Sequence, residues 1–262
     1  MSATRPVVLS FSGHDPCGGA GIQADIETLA SHQCHAVNIV TALTEQDTRN
    51  VVKLIPQTPE NIVSQANRLL ADIPINVFKI GLLGSPDTVK AVHSILAQHP
   101  SIPVVVDPVL ASGGGTDLAS SQLIQAIVDL FLPVTTVLTP NSTEARRLTD
   151  IVDLEKCGLD LLRKGCEYVL ITGTHETTTE VKNQLFHSNN CIDTRCWNRL
   201  PHSYHGSGCT LASSIAALIA KGLDITQAVI EAQEFTWNSL NAGYRPGRGQ
   251  HLPNRFFWVE EA

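Results

Sequence analysis

One alternation constrains this chain more than any other feature. Apolar runs of strand length are each followed by a stretch with helical spacing. Val7 to Phe11 reads as a buried strand, Ser12 to Gly21 as a turn-rich loop, and Ile22 to Ser31 as a helix. Ala36 to Leu43 is a second strand. Pro59 stands where a helix can start, with Ile62, Ala66, Leu69 and Leu70 as its apolar stripe. The pattern repeats with Val77 to Leu83 before Pro86 to Gln98, and Pro103 to Asp107 before Ser121 to Phe131. Thr136 to Thr139 then precedes two helices, Thr143 to Thr149 and Leu154 to Lys164, and Tyr168 to Thr172 is the next strand. Val181 to His187 and Cys191 to Leu200 read as a β-hairpin around Ser188-Asn189-Asn190, and helices at Thr210 to Lys221 and Ile225 to Leu240 close the chain. Such a grammar predicts right-handed βαβ units on a largely parallel sheet. No repeat or linker-like stretch divides it, so one domain over residues 1–262 is expected.

Composition agrees. Hydrophobic residues are 43% and aromatics only 5%, so the core rests on Val, Ile, Leu and Ala, as in a sheet covered on both faces. A chain of 262 residues buries enough surface to fold without a disulfide or metal staple. The formal charge is −7 with Lys and Arg scattered, which argues against a nucleic-acid partner. Seven cysteines (17, 34, 157, 166, 191, 196 and 209) form no CxxC pair and no Cys/His ligand set, so a reduced, cytoplasmic compartment is expected and a redox or metal role is not. No apolar run approaches the ~18 residues of a membrane span.

Parallel sheets bind ligands beyond the carboxyl ends of their strands, and four loops there are unusual. Gly13 to Gly21 is rich in glycine but lacks the Lys-Ser/Thr of a P-loop, so it reads equally as a ligand loop or a tight turn. Asp107-Pro108-Val109 follows a strand directly, and its carboxylate suits a divalent cation or a turn cap. In Thr139-Pro140-Asn141-Ser142-Thr143-Glu144, Asn141 and Glu144 have the spacing of a helix capping box. His205-Gly206-Ser207-Gly208-Cys209-Thr210 leads into an apolar helix. Its small residues leave backbone amides converging where the helix dipole is positive, an anion hole suited to a transferring phosphoryl group. Cys209 falls in that helix's first turn, where a thiol pKa tends to drop, although a lone cysteine beside an apolar helix is more often simply core.

Read together, these motifs resemble the hydroxymethylpyrimidine/phosphomethylpyrimidine kinases of thiamine biosynthesis, within the ribokinase-like superfamily. The resemblance spans Gly18 to Asp25, Val40 to Leu43, Lys79-Ile80-Gly81, Val106 to Val109, Thr139 to Asn141 with Glu144, and His205 to Leu211. It implies a three-layer αβα domain using ATP and Mg²⁺, and a homodimer. Gly206, Ser207 and Gly208 would hold the transferring phosphate, with Cys209 as the base. Asp107 and Glu144 would lie at the metal. Asn141, Thr172 and Gly173 would join Glu144, Gly206 and Gly208 at the nucleotide. Gln46, whose amide both donates and accepts, would meet the aminopyrimidine, with Gly13, Asp25, Leu82 and Val109 lining or supporting that pocket. The implied reaction is two successive phosphorylations of 4-amino-5-hydroxymethyl-2-methylpyrimidine. Pyridoxal or pyridoxine kinase activity, or a pyrimidine-binding regulatory protein without turnover, are the alternatives. Ala111-Ser112-Gly113-Gly114-Gly115 stands where many relatives have Lys-Ser-Gly, and Thr172-Gly173-Thr174-His175 where many have Lys-Gly-Gly-His, so two cations are absent. The tail Gly247 to Phe257 carries no role legible from its sequence.

Overall fold

The computed structural model describes residues 5–259. Among the described residues nine strands form one sheet in the order β3-β2-β1-β4-β5-β6-β7-β8-β9. These are β1 (Val7–His14), β2 (His35–Gln46), β3 (Val51–Pro56), β4 (Val77–Ile80), β5 (Val104–Val106), β6 (Val137–Leu138), β7 (Tyr168–Ile171), β8 (Glu180–His187) and β9 (Asn190–Asn198). From β2 through β1, β4, β5 and β6 to β7 the pairing is parallel, and β3, β8 and β9 are antiparallel additions at the edges.

Among the described residues eight α-helices flank the sheet: α1 (Gly21–Ser31), α2 (Pro59–Asp72), α3 (Pro86–Leu96), α4 (Ser121–Ala126), α5 (Ser142–Thr149), α6 (Leu154–Arg163), α7 (Ser207–Ala220) and α8 (Ile225–Asn241). Alternate strand residues explain the layers. Val8, Val77, Val105, Val137 and Leu170 pack in one cluster with α7 and α8. Leu9, Phe78, Val104, Leu138 and Val169 turn the other way, onto α2, α3, α5 and α6. Both sheet faces are therefore dry, which is why these strands read as unbroken apolar runs.

Several boundaries differ from expectation. β3 went unforeseen because it is an exposed edge strand with no clean alternation, Val52 being 80% exposed. The stretch expected as one helix over 121–131 is α-helical only to Ala126, then widens to a π turn over Ile127–Phe131 before Pro133. The hairpin turns on Ser188 and Asn189, both with positive φ, and Asn190 already belongs to β9. β1 stands where the connections reverse, with β2 on one side and β4 on the other, so a cleft opens beyond the strands' carboxyl ends.

Candidate active site

That cleft has a volume of about 1050 Å³ and runs from the loop after β1 to the β8–β9 hairpin. Six of the eight helices begin with a side-chain cap: Thr58, Ser85, Ser120, Asn141, Asp153 and Asp224. The other two, α1 and α7, begin without one, and both begin at this cleft. The Gly21 amide is spent on Cys209, and no side-chain cap takes the remaining first-turn amides of the two helices, each with a partial positive charge behind it.

Two glycines make the approach of these helix ends possible. Gly21 has φ +59°, and a Cβ there would meet the Gly13 carbonyl oxygen at 2.1 Å. Gly206 has φ +89°, and a Cβ there would lie 1.8 Å from the Gly19 carbonyl oxygen. Asp15 organises the first loop. Its carboxylate accepts from the amides of Cys17 (2.8 Å), Gly19 (3.0 Å) and Ala20 (2.8 Å), and pairs with His205 Nε2 at 2.8 Å. Burial would raise its pKa, but the His205 bond and charge together with the amides hold it well below the carboxylate range. Asp15 and His205 thus join the two glycine-rich turns.

Cys209 lines the cleft from the first turn of α7, but the expected fall in its pKa is corrected. Burial pushes the thiol up to about 12. Lys79 acts to lower it, while Asp107 and Asp25 raise it further. A helix end alone does not offset a desolvated site with two carboxylates. Asp107 faces the same turn, its oxygens 3.5 Å from where a Gly208 Cβ would stand. Glu144 and Asn141 make the capping box: each side chain accepts the other's amide at 2.9 Å, and Glu144 also accepts from Leu110 N at 3.3 Å. The capping-box reading of this segment therefore holds. Burial raises the pKa of both Asp107 and Glu144, and Asp107 raises that of Glu144 further.

Gln46, Gly13, Leu82 and Val109 line the end of the cleft nearest β1 and β2, as Asp107, Asn141, Glu144, Thr172, Gly206, Ser207 and Gly208 line its middle. Two expected residues do not. Asp25 is fully buried beneath the floor, 2.9 Å from Lys79 Nζ, and accepts from Ser10 Oγ (2.5 Å) and Ser213 Oγ (2.7 Å). Gly173 gives its amide to Asn183 Oδ1 and packs on the Lys182 carbonyl, so it serves the hairpin.

The far end of the cleft was illegible in sequence. Trp197 of β9 stacks on Trp237 of α8 with centroids 6.3 Å apart, and Gln233 accepts from both Asn183 (3.0 Å) and Trp197 (3.3 Å). Only tertiary packing unites these residues. The loop where a lysine was missed is pinned instead by Ser112, which donates to Asn50 and accepts from Thr116 N. Beyond Thr172, Arg199 reaches in from the end of β9 to cap the carbonyls of Thr174, Glu176 and Thr178. Arg147 and Arg199 line the cleft.

Comparison with known proteins points one way. A family model described as phosphomethylpyrimidine kinase matches residues 15–254. The hydroxymethylpyrimidine/phosphomethylpyrimidine kinase of Streptomyces coelicolor is 35% identical over 255 residues, covering 94% of this chain and 93% of that one. The solved phosphomethylpyrimidine kinase of Clostridium difficile is 27% identical with a TM-score of 0.79, covering 90% and 100% of the two chains. The pyridoxal kinase of Bacillus subtilis shares the fold with a TM-score of 0.90 at 24% identity, covering 97% and 99%.

Proposed function

The chain belongs to the phosphomethylpyrimidine kinase family, and on that premise we propose that it transfers the γ-phosphoryl of ATP to 4-amino-5-hydroxymethyl-2-methylpyrimidine, then to the monophosphate, in thiamine biosynthesis. One observation carries the reading: the two helices without side-chain caps both open into a single cleft, beside a thiol and two buried carboxylates. A phosphoryl group in flight spreads negative charge over its equatorial oxygens, and preorganised amides are suited to that charge.

In this reading Ser207, Gly208 and Cys209 offer first-turn amides to the transferring group, and the α1 terminus faces it from the opposite loop. Cys209 orients the substrate hydroxyl and receives its proton. A thiol pushed up to about 12 is protonated at neutral pH. It becomes a base only when bound ligands compensate the carboxylate charge around it. Gln46 hydrogen-bonds the aminopyrimidine edge, with Leu82 and Val109 on its flat faces. Trp197, Trp237 and Gln233 make an aromatic and amide-lined end suited to a purine base.

The residues fit a divalent cation, because Asp107 and Glu144 are buried, mutually repelling carboxylates that a cation would relieve. When bound with the nucleotide, Mg²⁺ would supply charge neutralisation across the phosphates. The proposal extends to residues 1–262 acting as one kinase domain, a cytoplasmic location and a homodimer. Among the described residues no helix is long and apolar enough to cross a membrane.

The test is ADP release from ATP with the hydroxymethylpyrimidine and, separately, with pyridoxal. Faster turnover on the pyrimidine, with a raised KM in Gln46→Leu, supports the reading. Turnover on pyridoxal alone would overturn the substrate, and pyrimidine binding without ADP would overturn the activity.

A further inference from the structure

The C-terminal segment folds back over both glycine-rich turns. His251 accepts from His205 N (2.9 Å) through its carbonyl, and Asn254 N donates to the Ser239 carbonyl (2.9 Å). This delivers Arg255, 2% exposed, to the space between the starts of α1 and α7. Each of its guanidinium nitrogens is committed: Nε donates to Thr210 Oγ1 at 3.0 Å, Nη1 to Glu27 Oε2 at 2.8 Å, and Nη2 to the Gly19 carbonyl at 2.5 Å. The Thr210 hydroxyl in turn donates to the Gly206 carbonyl at 2.8 Å. Burying a guanidinium is costly, and a surface pair with Glu27 alone would not require it. A planar fork holds its acceptors at fixed spacing. Here two of the acceptors, Gly19 and Thr210, belong to the two turns whose helices lack side-chain caps, and Glu27 lies farther along α1.

We propose that Arg255 is a positioning residue for phosphoryl transfer, setting the distance between the α1 and α7 amides through Gly19 and Thr210. The inference deepens the kinase reading and rests on it.

Steady-state kinetics of Arg255→Lys, Thr210→Val and Glu27→Gln test it, beside thermal unfolding and the rate at which iodoacetamide labels Cys209, located by peptide mass spectrometry. A fork that sets reacting distances predicts kcat down ~10–100-fold in Arg255→Lys, with KM for the pyrimidine nearly unchanged. Thr210→Val falls in the same direction, and Glu27→Gln keeps wild-type kcat. Cys209 labelling, which needs no turnover, rises several-fold in Arg255→Lys and not in Glu27→Gln. Wild-type kcat in both Arg255→Lys and Thr210→Val would overturn the proposal. So would equal losses in Arg255→Lys and Glu27→Gln, or a labelling rate that Arg255→Lys leaves unchanged. If Arg255→Lys does not fold, Thr210→Val decides alone. Absent wild-type turnover would defeat the kinase reading, and the labelling rates would then decide the positioning role by themselves.

Discussion

Asp25 and Lys79 are both wholly buried, 2.9 Å apart, beneath the floor of the cleft. At an effective dielectric of ~20 their attraction is about 6 kcal/mol, most of it offset by desolvation. Removing one partner is a different matter, because it strands the other charge. Asp25→Leu would leave Lys79 unpaired and the hydroxyls of Ser10 and Ser213 without their acceptor. Such losses cost about 3–5 kcal/mol. For 262 residues, an unfolding entropy of ~2.1 cal/mol/K per residue converts this to a Tm lower by ~5–9 °C. Lys79→Met should fall by a similar amount, and the double variant should lose less than the sum of the two, by a coupling of ~2–3 kcal/mol. Urea or thermal unfolding of all four proteins measures the cycle. Singles within about 1 kcal/mol of wild type, or additive losses, would refute the reasoning. A raised pyrimidine KM in Asp25→Leu with unchanged unfolding would instead restore Asp25 as a substrate ligand.

Cys209→Ala should lower kcat by ~10²–10⁴-fold while pyrimidine binding persists, read by steady-state kinetics and calorimetry. Because the thiol is pushed up to about 12, its alkylation rate should climb with pH through 9 without a plateau, and levelling below pH 8 would contradict that account. Glu144 has a raised pKa when folded, so the folded chain keeps a proton that the unfolded chain loses near 4.5. Its contribution to stability is fully present below that pH and is lost as pH rises through the folded value. Glu144→Gln should flatten the decline, as denaturant midpoints across neutral pH will report.

What the sequence revealed and what it hid follow from range. Helix starts were legible wherever a local device marks them, as at Pro59 behind Thr58 and at Asn141 with Glu144. The start of α7 at Gly206 to Cys209 was legible for the same reason: small residues leading into an apolar helix are a local pattern. The Cys209 pKa was not, because Asp107, Asp25 and Lys79 act on it from other strands and helices. Nor was the Trp197–Trp237 wall, whose rings come from β9 and α8. Arg255 sat in a tail without apparent purpose, since its partners lie 45 or more residues away. Asp25 belongs to a motif that resembles the family's, and only the packing reveals that it holds Lys79 rather than lining the cleft.

The central claim is that the cleft at the starts of α1 and α7 phosphorylates a hydroxymethylpyrimidine. Mass spectrometry of the products formed from ATP, Mg²⁺ and 4-amino-5-hydroxymethyl-2-methylpyrimidine tests it most directly. The account predicts the monophosphate first and the diphosphate after it, with both lost in Cys209→Ala. An unmodified pyrimidine after incubation with the wild-type protein would contradict it.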